Sequence, residues 1–314
     1  MNSLILLAIM ATAAPVSAPV EQPIELGFGK TAVHGTLLVP AAEGKVPVAV
    51  IIAGSGPTDR DGNSAALPGK NDSLKMLAAG LAEQGIASLR YDKRGIGASK
   101  EAGPAEADLR FDTYVEDAAA WIKRLRADER FSHVIVVGHS EGALIGTIAA
   151  HEAKADALVA IAGTGRTAGD LLRAQLAGKL PPELAKESER VLKELEAGRT
   201  VADAPPALAS IYRSSVQPYM ISWLRRDPAK ELAKVKVPVL IVQGSADVQV
   251  TAHDAELLRR ANAGAEVLLV EKMNHVLKRI DDPAKQMASY SDPSLPVMPQ
   301  LVERIGAFVK RLGK

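Results

Sequence analysis

The sequence predicts an α/β fold, a mainly parallel sheet with helices on both faces and a helical cap inserted into it. Three observations lead there. Short apolar runs rich in β-branched residues alternate with segments of helical spacing along most of the chain. One such run ends in a Gly-x-Ser-x-Gly sequence that opens a helix. Residues 163–234 carry helical patterns and no strand pattern.

Residues 31–38 read as a strand entering a turn at Pro40. Residues 46–53 (VPVAVIIA) form a continuous apolar run, as expected of a strand buried on both faces of a parallel sheet. A helix is expected over 73–84, with Leu74, Leu77, Ala78 and Leu81 on one face and Gly85 as its stop. Strand 86–91, helix 111–126, strand 134–137, helix 142–150 and strand 157–162 follow. After the cap come strands 237–242 and 265–270 and a closing helix over 295–312. Within the cap the helical patterns span 171–180, 182–195 and 206–226, and Pro218 is expected to kink the last. The sheet domain therefore takes residues 19–162 and 235–314, and the cap takes 163–234. The charges of the middle cap segment, among them Glu183, Lys186, Glu187, Arg190 and Lys193, read as a solvated helix face.

Residues 4–14 are apolar and small and run into Pro15-Val16-Ser17-Ala18, which reads as a signal peptide over residues 1–18. It is shorter than the roughly 20 residues a spanning helix needs. On this reading the protein is periplasmic or secreted, with no stable membrane insertion after processing. The first three residues lack Lys and Arg, so the other reading is an apolar N-terminus on a cytoplasmic protein, or a mis-assigned start. Lys plus Arg number 38 against 37 Asp plus Glu, a balance without the basic footprint of a nucleic-acid binder. With no Cys, disulfides, thiolate metal sites and a cysteine nucleophile are excluded.

The chemistry gathers at predicted strand ends. Gly138-His139-Ser140-Glu141-Gly142 sits between strand and helix, where a sharp turn lifts a serine hydroxyl clear of the sheet. Glycines are needed there because larger side chains would strike the adjoining strand and helix. A serine hydroxyl needs a base, and the chain offers six histidines. His275 follows the strand at 265–270 and is the expected base; His253 is its rival. Asp247 follows the strand at 237–242 and is the expected acid that orients His275, preferred over Asp254, which lies inside the next helix. The order Ser140, Asp247, His275 is the one such a fold requires. For the oxyanion, the expected donors are the N–H of Glu141 and that of Ser55, in the loop 54–63 (GSGPTDRDGN), with Gly54 or Gly56 as alternatives for the latter. Asp59, Asp61 and Asn63 in that loop suggest a calcium site, but the glycine is misplaced and Lys70 stands where the closing Glu belongs, so no metal is expected. Residues 91–99 read as a glycine turn pinned by Asp92 and Arg94 rather than a nucleotide loop. In the cap, Tyr212, Tyr219 and Trp223 share a face at helical spacing; this reads either as packing onto the sheet domain or as the wall of an acyl pocket.

The segments 54–63, 90–99 (RYDKRGIGAS), 138–142 (GHSEG), 244–250 (GSADVQV) and 274–278 (NHVLK) resemble those of the α/β-hydrolase superfamily, and within it bacterial serine esterases of the serine aminopeptidase S33-like group. The resemblance runs from about Thr31 to Leu312. It implies an α/β-hydrolase fold with a helical cap, a Ser140–His275–Asp247 triad, and an oxyanion hole from the Ser55 loop and the Glu141 N–H. Many relatives begin the oxyanion loop with His-Gly, where this chain has Ala53-Gly54. The expected activity is hydrolysis of small carboxylic esters of short to medium acyl chains through an acyl-enzyme, without a cofactor. An aminopeptidase or amidase on the same triad is the alternative, with Asp203 and the Glu residues of 183–196 as candidates to hold a substrate α-amine. Acyl transfer to an alcohol and a non-catalytic binding role are further alternatives.

Overall fold

The computed structural model describes residues 18–313, so all but the last residue of the expected signal peptide lies outside the described residues. The chain opens with a hairpin, β1 (Val20–Leu26) antiparallel to β2 (Val33–Val39). It continues through β3 (Val46–Ile52), α1 (Ser73–Glu83), β4 (Ala87–Tyr91), α2 (Phe111–Arg126), β5 (Phe131–His139), α3 (Glu141–Glu152) and β6 (Ala157–Ile161). The cap contributes α4 (Ala168–Leu176), α5 (Pro182–Glu196), α6 (Ala209–Tyr212) and α7 (Gln217–Leu224). The chain then adds α8 (Pro228–Ala233), β7 (Val239–Gly244), α9 (Ala252–Ala261), β8 (Glu266–Val270) and α10 (Pro299–Val309).

The eight strands lie in the order β1-β2-β4-β3-β5-β6-β7-β8, with β3 to β8 mutually parallel. The mainly parallel sheet flanked by helices is what the sequence predicts. The strands β3, β4, β5, β6 and β7 are almost wholly buried, in keeping with their apolar runs. One core layer packs residues of α2, α3, α8 and α9 against the sheet; the other packs α1 and α10. Helix α3 is apolar nearly all round and buried throughout its first ten residues. From β3 the chain crosses to β4 on one side, and from β5 to β6 on the other. The carboxyl ends of β3 and β5 are therefore adjacent while their loops diverge, which opens a crevice at a topological switch point.

The cap has an apolar nucleus of its own, made of Ala168, Val191, Leu192, Leu195, Val201, Leu208, Tyr212, Met220 and Leu224. Fully buried Gln217 knits it together: its amide N–H groups donate to the Val201 and Tyr212 carbonyls, and its Oε1 accepts from Val201 N. Three expectations change. The segment 206–226 is not one helix: it breaks at 213–216, and Pro218 stands in the first turn of α7, where its missing N–H costs nothing. Residues 228–233, counted with the cap by its expected boundary, form α8, which packs instead on the sheet domain: Asp227 caps it, and Leu232 sits in the core layer with α3 and α9. Strand β1 was not expected, because its exposed Glu-Gln-Pro stretch carries no apolar run. Among the described residues no helix is long and apolar enough to cross a membrane.

Candidate active site

Ser140 occupies the turn between β5 and α3 with φ 56 and ψ −122, a conformation unfavourable for a residue with a Cβ. Serine at a helix N-cap ordinarily bonds back to the helix, yet Ser140 Oγ makes no capping hydrogen bond and is left for the crevice. The flanking glycines have steric causes. A Cβ on Gly138 would run into the Gly142 carbonyl, and one on Gly142 into the Ile52 carbonyl. A Cβ on Gly54 would stand 3.2 Å from the Ser140 Cβ, so the end of β3 and the turn are pressed together.

At the end of β7, Asp247 is buried. Its Oδ1 accepts from the N–H groups of Gln249 at 2.8 Å and Val250 at 3.0 Å, and its Oδ2 accepts from His275 Nδ1 at 2.8 Å. Burial pushes the Asp247 carboxyl up, but the hydrogen bond and charge of His275 and the two backbone donors outweigh it and hold the group below the usual range. Because a carboxylate takes the Nδ1 proton, the tautomer leaves Nε2 of His275 as the free base. Among the described residues no hydrogen bond joins Ser140 Oγ to His275. Such contacts commonly tighten only once substrate is bound.

His139 ties the two segments together. Its Nε2–H donates to the His275 carbonyl at 2.7 Å, and the two rings lie 4.9 Å apart. Burial, with the neighbouring His275, pushes the His139 pKa down to about 3. The unfolded chain therefore takes up this proton before the folded one does. Its contribution to stability is full above pH 6.5 and is lost as pH falls toward 3. Between pH 7 and pH 5 the loss should be about 2 kcal/mol. His139→Gln, which keeps a donor, should lack this part of the acid destabilisation. Urea midpoints of both proteins at the two pH values measure it, and parallel losses would show that His139 does not titrate as argued.

Ser140 opens into a cavity of about 680 Å³ between sheet and cap. Its lining includes Ser55 and Glu141 at the floor and Leu171, Ile211, Tyr219 and Trp223 from the cap. Among the described residues no protein acceptor takes the N–H of Ser55 or Glu141. Tyr219 and Trp223 also pack on the sheet domain, with the Tyr219 ring tilted against Phe111 and edge-on to Tyr114. Tyr212 does not reach the cavity: it is buried in the cap nucleus, its hydroxyl 2.8 Å from Ser188 Oγ. The chain break at 213–216 rotates it away from the face it was expected to share.

The rival residues are used elsewhere. His253 is exposed. Asp254 caps α9 and holds Arg166, at the entry to the cap, with hydrogen bonds of 2.7 and 2.9 Å. Asp59 accepts from the N–H groups of Asp61 and Asn63, Asp61 pairs with Arg90 of β4, and Asn63 Oδ1 accepts from the N–H groups of Asn71 and Asp72, so these side chains hold the loop to itself, to β4 and to the start of α1. The turn at 91–99 is pinned by Asp92 and Arg94, though to different partners: Asp92 holds Arg60 and the Ala98 N–H, and Arg94 pairs with Asp117. Sequence reasoning missed Lys93. It is buried, and its Nζ donates to the Gly54 carbonyl at 2.6 Å and to Glu141 Oε2 at 3.2 Å. Glu141 Oε1 in turn accepts from the Tyr219 hydroxyl at 2.7 Å.

A family profile described as serine aminopeptidase, S33, matches residues 70–279, about two thirds of the chain. The chain belongs to this family. Esterase EstD of Thermotoga maritima is 30% identical over 246 residues, 77% of this chain and 57% of that protein. The chain thus spans little more than half the length of this curated relative. Among solved structures, Est1E from Butyrivibrio proteoclasticus matches with a TM-score of 0.58 at 16% identity, over 92% of this chain and 98% of that one. The alpha/beta hydrolase GrgF from Penicillium sp. sh18 matches with 0.61 at 18%, over 93% and 98%. At such identities the likeness is one of fold, and the fold is that of the α/β hydrolases. The family match takes in Lys93, Ser140, Asp247 and His275 but begins after the loop that carries Ser55.

Proposed function

We propose that the chain is a serine esterase acting on small carboxylic esters of short to medium acyl chain. Ser140 attacks the ester carbonyl as His275 Nε2 takes its proton, Asp247 steadies the imidazolium, and the N–H groups of Ser55 and Glu141 receive the oxyanion. The alcohol leaves with the proton from His275. Water, activated by the same imidazole, then frees Ser140 from the acyl group. The name of the Thermotoga relative supports an esterase.

The observation that carries the choice of ester over aminoacyl substrate is the charge of the cavity wall. Its carboxylates are Glu106 and Glu141, and both are taken: Glu106 by Arg213 and Ser215, Glu141 by Lys93 and Tyr219. The cations Lys93, Arg94, Lys100 and Arg213 outnumber them. An α-ammonium group finds no free partner there. Asp203 pairs with Arg190, and Glu189 and Glu196 pair with Arg173, all outside the cavity wall. The test is turnover of nitrophenyl esters against aminoacyl nitroanilides, with fluorophosphonate labelling of Ser140. Esters should dominate; anilide turnover matching ester turnover would move the assignment to an aminopeptidase.

Trp223 closes the apolar part of the cavity. Trp223→Ala should shift the chain-length optimum to longer acyl groups, each newly buried methylene adding about 0.8 kcal/mol, or about fourfold in kcat/KM. An unchanged optimum across an ester series would leave Trp223 with packing alone. The apolar N-terminal segment supports export, which fractionation of expressing cells would test.

A further inference from the structure

Lys93 lies two residues beyond the end of β4, the neighbour of β3, and its ammonium reaches the loop that leaves β3. Its ammonium touches both residues that frame Ser140: the Gly54 carbonyl and the Glu141 carboxylate. We propose that Lys93 is a positioning residue that sets the oxyanion hole, by holding the Gly54 carbonyl and so aiming the Ser55 N–H. This rests on the esterase reading above.

The argument is one of peptide geometry. The Gly54 carbonyl and the Ser55 N–H belong to a single planar unit, and the described residues contain no cis peptide bond. In a trans unit the two groups point in opposite directions. Fixing the carbonyl toward Lys93 therefore fixes the N–H away from it, in a residue that lines the same cavity as Ser140. The tether is needed because the loop is soft: Gly54 lacks a Cβ, and Gly56 has φ 69. Among the described residues no other group donates to the Gly54 carbonyl. A cation on the carbonyl also polarises the peptide and strengthens its N–H as a donor. Glu141 fixes the ammonium from the other side, and the Tyr ring of Tyr114 lies 4.9 Å from it.

The test compares hydrolysis of an oxoester with that of the matching thionoester, whose sulfur accepts hydrogen bonds poorly. Replacing one end of a buried ion pair leaves an uncompensated charge, so both ends are neutralised. Lys93→Met with Glu141→Gln should lower kcat on the oxoester by about 10- to 100-fold with KM little changed, and should compress the oxo-to-thiono ratio by a similar factor. Glu141→Gln alone keeps an amide oxygen for the ammonium as well as the Lys93–Gly54 contact, so although the lost charge lowers stability, the ratio should fall far less than in the Lys93→Met pair. Lys93→Gln with Glu141→Gln, which retains a donor, should recover part of it. Fluorophosphonate titration counts folded sites for every variant, and Lys93→Leu with Glu141→Gln replaces the methionine pair should that pair not fold. A ratio unchanged in the apolar variants, or lost equally in Glu141→Gln alone, overturns the proposal. Aminoacyl anilide turnover matching ester turnover in the wild type would sink the esterase reading instead.

Discussion

Ser140→Ala is expected to lower kcat for ester hydrolysis on the order of 10⁶-fold, the scale seen when a triad serine is removed from a serine hydrolase. The loss is steep because the hydroxyl is the one group that enters a covalent bond, and the imidazole without it can only activate water from a poorer geometry. What remains comes from binding and the oxyanion donors. The assay must therefore exclude trace wild-type enzyme, which active-site titration does. Turnover within about tenfold of wild type would place the nucleophile elsewhere. The backbone adds a second expectation. Ser140 holds φ 56 and ψ −122, which costs an ordinary residue about 1–3 kcal/mol and glycine little. Alanine keeps that strain. Ser140→Gly relieves it, less up to about 1 kcal/mol for the looser unfolded chain, so it should fold about 1 kcal/mol more stably while being equally inactive. Denaturant midpoints of the two variants separate strain from chemistry.

Asp247→Asn is expected to leave the fold intact and lower kcat by about 10⁴-fold. The amide oxygen can still accept from the Gln249 and Val250 N–H groups at the Oδ1 position. Its NH₂ then faces His275 Nδ1, where a carboxylate oxygen stood. A donor there turns Nδ1 into an acceptor and moves the ring proton to Nε2, the atom that must receive the Ser140 proton. Fluorophosphonate labelling of Ser140 should slow in the same proportion as turnover. Labelling at the wild-type rate would show that His275 does not act as the base.

The positions proposed for catalysis could be picked out because each follows an apolar run that reads as a buried strand. The ends of β5, β7 and β8 carry Ser140, Asp247 and His275 within a few residues, and parallel strands bring those ends to one rim. Lys93 was not legible. A lysine beside Asp92 and Arg94 reads as surface, and what holds it inside is the Gly54 carbonyl and Glu141, 39 and 48 residues away. The role of His139 was hidden likewise, since its partner is a carbonyl 136 residues distant. Tyr212 was misplaced for a local reason. Nothing in Arg213-Ser214-Ser215-Val216 announces a break, yet the helix stops there, and the spacing rule that joined Tyr212 to Tyr219 and Trp223 no longer applies. Strand β1 pairs only at the sheet edge, so its sequence had no need of the alternation or the apolar run that reveals a strand.

The apolar nucleus enclosed within the cap has a consequence for how such an enzyme can diverge. Helices α4 to α7 hold one another, so their outer residues are free to drift without loosening the sheet. Among the described residues the polar contacts that fasten the two parts include Ser222 Oγ on the Phe111 N–H, Arg226 on Asp112, Arg166 on Asp254, Tyr219 on Glu141, Arg213 and Ser215 on Glu106, and Gln175 on the Gln249 carbonyl. A transplanted lid that reproduces those fastenings would inherit the proposed esterase site beneath and bring its own taste in substrates.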